Sequence, residues 1–163
     1  MIIDGNALIH RSFHALPTTL TTKDGVIVNA VYGFTSFLLK AFIEFKPEYV
    51  ALTLDRKAPT FRHQEYKEYK GTRVKAPDEL YAQIPIVKQV ATALDIPIYE
   101  LDGFEADDLI GTITARAEKE TEFESYIVTG DMDSLQLVDS RTKVYMMSRG
   151  LNDSITYGET QVV

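Results

Sequence analysis

Two short stretches, YVALTL at 49–54 and SYIVT at 125–129, are nearly continuous runs of apolar and β-branched residues, and both stop at an acidic turn, Asp55 and Gly130-Asp131. A strand with one wet face alternates apolar and polar residues. A run without that alternation must bury both faces, which places it inside a sheet covered on each side. Segments of helical period lie between such runs. Residues 29–45 carry apolar side chains at 31, 34, 37, 38, 41, 42 and 45. Residues 77–95 read as a helix kinked at Pro85, and 105–120 as an amphipathic helix with Leu109, Ile110 and Ile113 toward the sheet. MII before Asp4, IPIYEL at 96–101, KVYMM at 143–147 and SITY at 154–157 supply further strands. The rhythm predicts an α/β fold, a mainly parallel central sheet with helices on both faces.

In such folds, ligands sit outside the carboxyl ends of the strands. Asp4 and Asp55 follow the first two predicted strands, Glu105, Asp107 and Asp108 the third, and Asp131 and Asp133 the fourth. A lone Asp after a strand is ordinarily a turn residue or a helix cap, and acids in a first helical turn complement the helix dipole. That accounts for Glu105 and one neighbour. It does not account for successive strand ends that are all acidic, because unpaired carboxylates on one edge repel and raise each other's pKa. A hard divalent cation reverses the sign of that energy, and Mg²⁺ or Mn²⁺ prefers oxygen ligands. Two such ions about 4 Å apart activate water and stabilise the leaving oxygen of a phosphodiester. Asp4, Asp55, Glu105, Asp107, Asp108, Asp131 and Asp133 are therefore the candidate metal ligands. Asp108 has the most ordinary alternative, an N-terminal carboxylate one turn from Glu105.

The net charge of −7 argues against a phosphate-backbone binder, but its distribution does not. Residues 56–75 hold seven Lys/Arg and two Glu, a local +5, so the rest of the chain carries −12. Basic and aromatic residues interleave there. On a helix, Arg62, Tyr66, Tyr69, Lys70 and Arg73 share a face, suited to phosphates and unpaired bases. The bland alternative is a solvated helix with its aromatics packed on the body. His10, His14 and His63 lack metal-ligand spacing, and no Walker or Rossmann glycine loop is present. There are no cysteines, which excludes disulfides and thiolate chemistry and fits a cytoplasmic protein. No apolar run suits a membrane span, and no N-terminal signal pattern precedes the first strand.

The segments IIDGNALIHRSFHALP, NAVYGF, APTFRHQEYKEYKGTR, QIPIVKQVA, GFEADDLIGT and VTGDMDSLQLV, in this order, resemble the 5′→3′ exonuclease domain of bacterial DNA polymerase I. That domain belongs to the wider flap-endonuclease group with a PIN-like fold. The resemblance implies a structure-specific, metal-dependent nuclease of DNA replication and repair that removes 5′ flaps and RNA primer ends. It implies metal-ligand roles for Asp4, Asp55, Glu105, Asp107, Asp131 and Asp133, with Asp108 in the same motif. Asp55 and Asp131 are then also catalytic, together with Lys70 and Arg73, which match arch residues at the scissile phosphate. Tyr69 matches an arch aromatic that stacks on a displaced base, and Arg62 and Lys67 are read as phosphate contacts. The expected partners are DNA with 5′ flaps or nicks, RNA primer ends and a polymerase domain downstream. A nucleoid-associated monomer is expected. Met132 departs from the family, which has Lys or Arg there. Members of the family continue into a further acidic motif and a helix–hairpin–helix-like element. Residues 1–163 are therefore expected to form one PIN-like core with an arch or clamp at about 56–76, truncated at its C-terminus. Two other readings stay open: a module that holds a 5′ single strand without cutting it, and a PIN-type ribonuclease. A phosphatase with an Asp nucleophile wants D-x-D after the first strand, where this chain has DGN.

Overall fold

The computed structural model describes residues 1–66, 68, 69, 71, 75–120, 123–148 and 153–162. In chain order the elements are β1 (Ile2–Asp4), α1 (Gly5–Ala15), α2 (Asn29–Phe45), β2 (Ala51–Thr53), α3 (Phe61–Glu65), α4 (Asp78–Tyr81), α5 (Ile84–Ala93), β3 (Ile98–Tyr99) and α6 (Ala106–Lys119). They continue with β4 (Ser125–Thr129), a 3₁₀ helix (Met132–Leu137), β5 (Thr142–Met147), β6 (Ser154–Tyr157) and α7 (Glu159–Val162).

The strands form one sheet in the order β3-β2-β1-β4-β5-β6. All pairs are parallel except β5–β6, which is antiparallel. The chain builds outward from β1 on one side and then from β4 on the other, so β1 and β4 meet at the point where the winding reverses. Alternation within each strand sorts side chains onto two faces. Ile3, Leu52, Val128, Tyr145 and Met147 join a core with α1, α2, α4 and α5. Ile2, Ile127, Val144 and Met146 join a second core with Ile110 of α6, flanked by Ile113, Leu135 and Leu137. The predicted burial of both strand faces is thus met by helices on both sides of the sheet.

Three elements differ from the sequence reading. α1 is not marked by the sequence pattern, because GNALIHRSFHA buries only three large apolar residues, Leu8, Ile9 and Phe13, beside Gly5 and Ser12. Asp4 starts it by accepting the Ala7 N–H at 3.0 Å. His10 and His14 lie on its exposed side. The single kinked helix over 77–95 is two helices, and Pro85 stands in the first turn of α5, where its missing N–H costs nothing. The joint between them is held by Gln83. Its side-chain oxygen accepts from the backbone of Ala30 and Val31 at 2.8 and 3.2 Å, capping α2 from a distance of over fifty residues in sequence. Its amide donates to Asn29, which donates in turn to the carbonyls of Phe13 and Leu16 at the end of α1.

The third difference is the basic segment. Among the described residues there, the helix is α3 alone, and its C-cap Tyr66 is extended. Tyr69 and Gly71 lie in turns closed by hydrogen bonds to Tyr66 and Glu68. The shared helical face expected for Arg62, Tyr66 and Tyr69 is therefore interrupted after Glu65. Lys67, Lys70 and Arg73 lie outside the described residues.

Candidate active site

Asp4, Asp55, Asp131 and the start of α6 stand at the carboxyl ends of parallel strands, on one side of the sheet, because each follows its strand directly or through one loop. Asp4 is the most deeply set. It is 2% exposed. Besides capping α1, it accepts the Thr129 hydroxyl of the adjacent strand at 2.6 Å. Burial pushes its pKa up to about 6, and the nearby Asp107 and Asp55 add to the rise against the two hydrogen bonds. Thr129 also accepts the N–H of Asp131 at 3.0 Å, so one hydroxyl links the acids of β1 and β4. Asp131 in turn caps the 3₁₀ helix by accepting from Asp133 at 3.0 Å. Asp55 accepts the Ala106 N–H at 2.6 Å and an Asn6 amide N–H at 2.8 Å, which ties the end of β2 to the starts of α6 and α1.

Glu105 is the N-cap of α6 and is buried. It accepts the Tyr69 hydroxyl at 3.0 Å. Asp108 closes a capping box with it, accepting the Glu105 N–H at 2.9 Å, and takes a two-pronged grip from Arg62 at 2.8 Å on each oxygen. Arg62, read from sequence as a phosphate contact, thus spends its guanidinium on protein, and Asp108, read as a ligand, serves as a cap and ion-pair partner. A groove of about 640 Å³ runs between α6 and the 3₁₀ helix, lined by Arg62, Asp107, Asp108, Thr112, Asp133 and Ser134 among others. A smaller hollow of about 280 Å³ at the foot of the basic segment includes Asp55, Thr60, His63 and Glu105. Met132 is exposed beside Asp131.

The donor set is all oxygen, which fits a hard cation in kind. The geometry is not a ready cage: among the described residues, no three His, Asp or Glu side chains come close enough to hold an ion together. Asp4, Asp55, Glu105, Asp108 and Asp131 each accept from an N–H or O–H donor of the protein. The sequence reasoning missed Thr129, Asn6 and Gln83. The strand-end position of Thr129, two residues before Asp131, was the one available signal.

Acids gathered at the switch point of a mainly parallel sheet, with Arg62 and Tyr69 of the basic segment against them, mark this edge of the α/β fold as the candidate site. The chain belongs to the family described as 5′-3′ exonuclease, N-terminal resolvase-like domain, whose profile matches residues 1–163. It is 41% identical over 163 residues to DNA polymerase I of Geobacillus stearothermophilus, covering 100% of this chain and 18% of that protein. It is 42% identical over 153 residues to DNA polymerase I of Bacillus subtilis, covering 94% of this chain and 17% of that one. The chain thus spans less than a fifth of the length of these relatives. Among solved structures it is similar to a T5 5′-exonuclease with divalent zinc ions bound, at TM-score 0.74 and 15% identity, covering 97% of this chain and 57% of that one. A bacteriophage T5 flap endonuclease in complex with DNA and metal ions gives TM-score 0.70 at 14% identity, with the same coverage. Identity that low speaks to the fold, and it supports the PIN-like core.

Proposed function

We propose that this chain is the catalytic core of a metal-dependent 5′ nuclease acting on DNA flaps, nicks and RNA primer ends. The observation that carries this reading is the gathering of acids from successive strand ends at the β1–β4 switch, with Tyr69 of the basic insertion touching one of them. Asp4, Asp55, Glu105, Asp107, Asp131 and Asp133 would hold Mg²⁺ or Mn²⁺, which would make a bound water more acidic and offset the negative charge that develops on the leaving oxygen. In support of this reading, the Asp4 carboxylate is held by the Thr129 hydroxyl, that of Asp131 by the Asp133 N–H, and that of Asp55 by Asn6 and Ala106. Lys70 and Arg73 would meet the scissile phosphate, and Lys67 a neighbouring one. Tyr69, now donating to Glu105, would exchange that bond for stacking on a displaced base. A downstream polymerase domain and a nucleoid location belong to the same proposal.

The test is Asp131→Asn with a 5′-labelled flap and Mg²⁺ or Mn²⁺. Cleavage should fall at least roughly a hundredfold while the fold is kept, as expected when a charge-stabilising group is lost. Cleavage at the parent rate removes the assignment. A second reading, a module that binds the 5′ strand without cutting, draws on the separated carboxylates. It predicts salt-sensitive binding and no product from the parent chain itself.

A further inference from the structure

Arg62 sits at the root of the basic insertion, where the chain crosses from β2 toward α6. That root is fastened at several points. The Phe61 N–H donates to the Gly103 carbonyl at 3.0 Å, and the Phe61 ring lies 5.8 Å from that of Phe104. The Arg62 guanidinium stacks 4.6 Å over the Phe61 ring. From there its fork reaches both oxygens of Asp108, and one prong stands 3.7 Å from Glu105. Asp108 passes the constraint on by accepting the Glu105 N–H. The side chains of Arg62 and Asp108 are 30% and 21% exposed, so the pair is partly screened from water and its planar geometry counts.

We propose that Arg62 is a positioning residue: through Asp108 it pins the root of the insertion to the first turn of α6 and fixes the orientation of Glu105, instead of contacting a phosphate. A guanidinium that reads phosphate has its N–H groups turned outward, whereas this one is closed on a carboxylate across forty-six residues of sequence. The pair acts as a bolt between two segments that also meet through the Phe61–Phe104 rings, the Phe61–Gly103 backbone bond, the Asp55–Ala106 bond and the exposed Arg56–Asp102 ion pair. Its consequence is that Asp108 and Arg62 act as a unit, and losing either should look like losing both.

The inference rests on the nuclease reading for its kinetic arm only. Arg62→Ala, Asp108→Ala and the double variant form a cycle, with Arg62→Lys as a fourth protein that keeps the charge and loses the fork. Hydrogen exchange in metal-free, DNA-free protein is followed in a peptide covering residues 58–66. Exchange should speed roughly five- to tenfold in each single variant, no further in the double, and to a similar degree in Arg62→Lys. In flap cleavage with Mn²⁺, both alanine variants should lower kcat together and leave KM near the parent value. The salt slope of binding to a 5′-tailed duplex should not change. A slope lowered by about one in Arg62→Ala, or restored binding in Arg62→Lys with Asp108→Ala silent, would make Arg62 a phosphate contact. Loss of kcat in Asp108→Ala alone would return Asp108 to the ligand set. If the parent chain neither cuts nor binds, the nuclease reading fails while the exchange data still decide the role of Arg62.

Discussion

On the β1–β4 side of the acidic edge, carboxylates are held by neutral donors: Asp4 by the Ala7 N–H and the Thr129 hydroxyl, and Asp131 by the Asp133 N–H. On the α6 side, Asp108 and Glu105 meet a guanidinium and a phenol that arrive on the basic insertion. The first side is built into the sheet and carries its charge at a cost, visible in the raised pKa of Asp4. The second side has its countercharge already, in the guanidinium of Arg62 on α3. One edge therefore combines a fixed half that gains from added positive charge and a fastened half whose partner can be exchanged.

The largest expected effect tests the cost on the fixed side. Asp4 has its pKa raised from 3.8 to about 6, so between those values the folded chain binds a proton that the unfolded chain does not. Its contribution to stability is then greatest below the unfolded pKa, falls as pH climbs to about 6, and is flat above. Asp4→Asn in metal-free protein should raise stability at pH 7 by on the order of 2–3 kcal/mol and remove that slope. Urea midpoints measured from pH 4 to 8 with chelator present check this, and a variant less stable than the parent at pH 7 would break the contrast between the halves.

Rigidity of the same side is tested at Gly5, the first residue of α1. A Cβ there would stand 2.9 Å from the Thr53 carbonyl and 2.5 Å from a Leu54 methyl. Gly5→Ala should push α1 away from β2 and cost about 2 kcal/mol, read as a lower denaturant midpoint at unchanged slope. On the fastened side, Arg62→Ala should cost about 1–2 kcal/mol, and raising salt should narrow its gap to the parent. Asp4→Asn should show no such narrowing, because burial and not a surface pairing causes its shift. The smallest change is Tyr69→Phe, worth about 0.5–1 kcal/mol, with thermal unfolding as the measurement. A loss as large as that of Arg62→Ala would mean that the phenol, not the guanidinium, fastens the insertion.

The sequence made some of this legible and hid the rest for physical reasons. The bounds of α2 and β4 follow from their residues because each is fixed by burial over a long periodic or unbroken apolar run. Strand ends are legible too, since parallel pairing sends Asp4, Asp55, Glu105 and Asp131 to one edge. α1 was hidden because Asp4, read for its charge, also caps a helix whose buried side is only a few residues wide. The pairing of Arg62 with Asp108 was hidden because it joins residues forty-six apart, and either residue alone suits a solvent-facing role. The length of α3 was hidden by the helical spacing of its own aromatics, which continues past the point where the backbone turns extended at Tyr66. The separated carboxylates could not be read from spacing, which records who shares an edge and not how far apart they rest.

The joint of Gln83 and Asn29 ties the end of α1, the start of α2 and the turn before α5 with amides alone. Amides do not ionise across the range in which Asp4 titrates, and their hydrogen bonds are far less sensitive to ionic strength than an exposed ion pair. The frame that carries Asp4 at one end of α1 is therefore deaf to proton and salt at the other. A titration of Asp4 can be read as a report on its own surroundings, with this joint as a constant background.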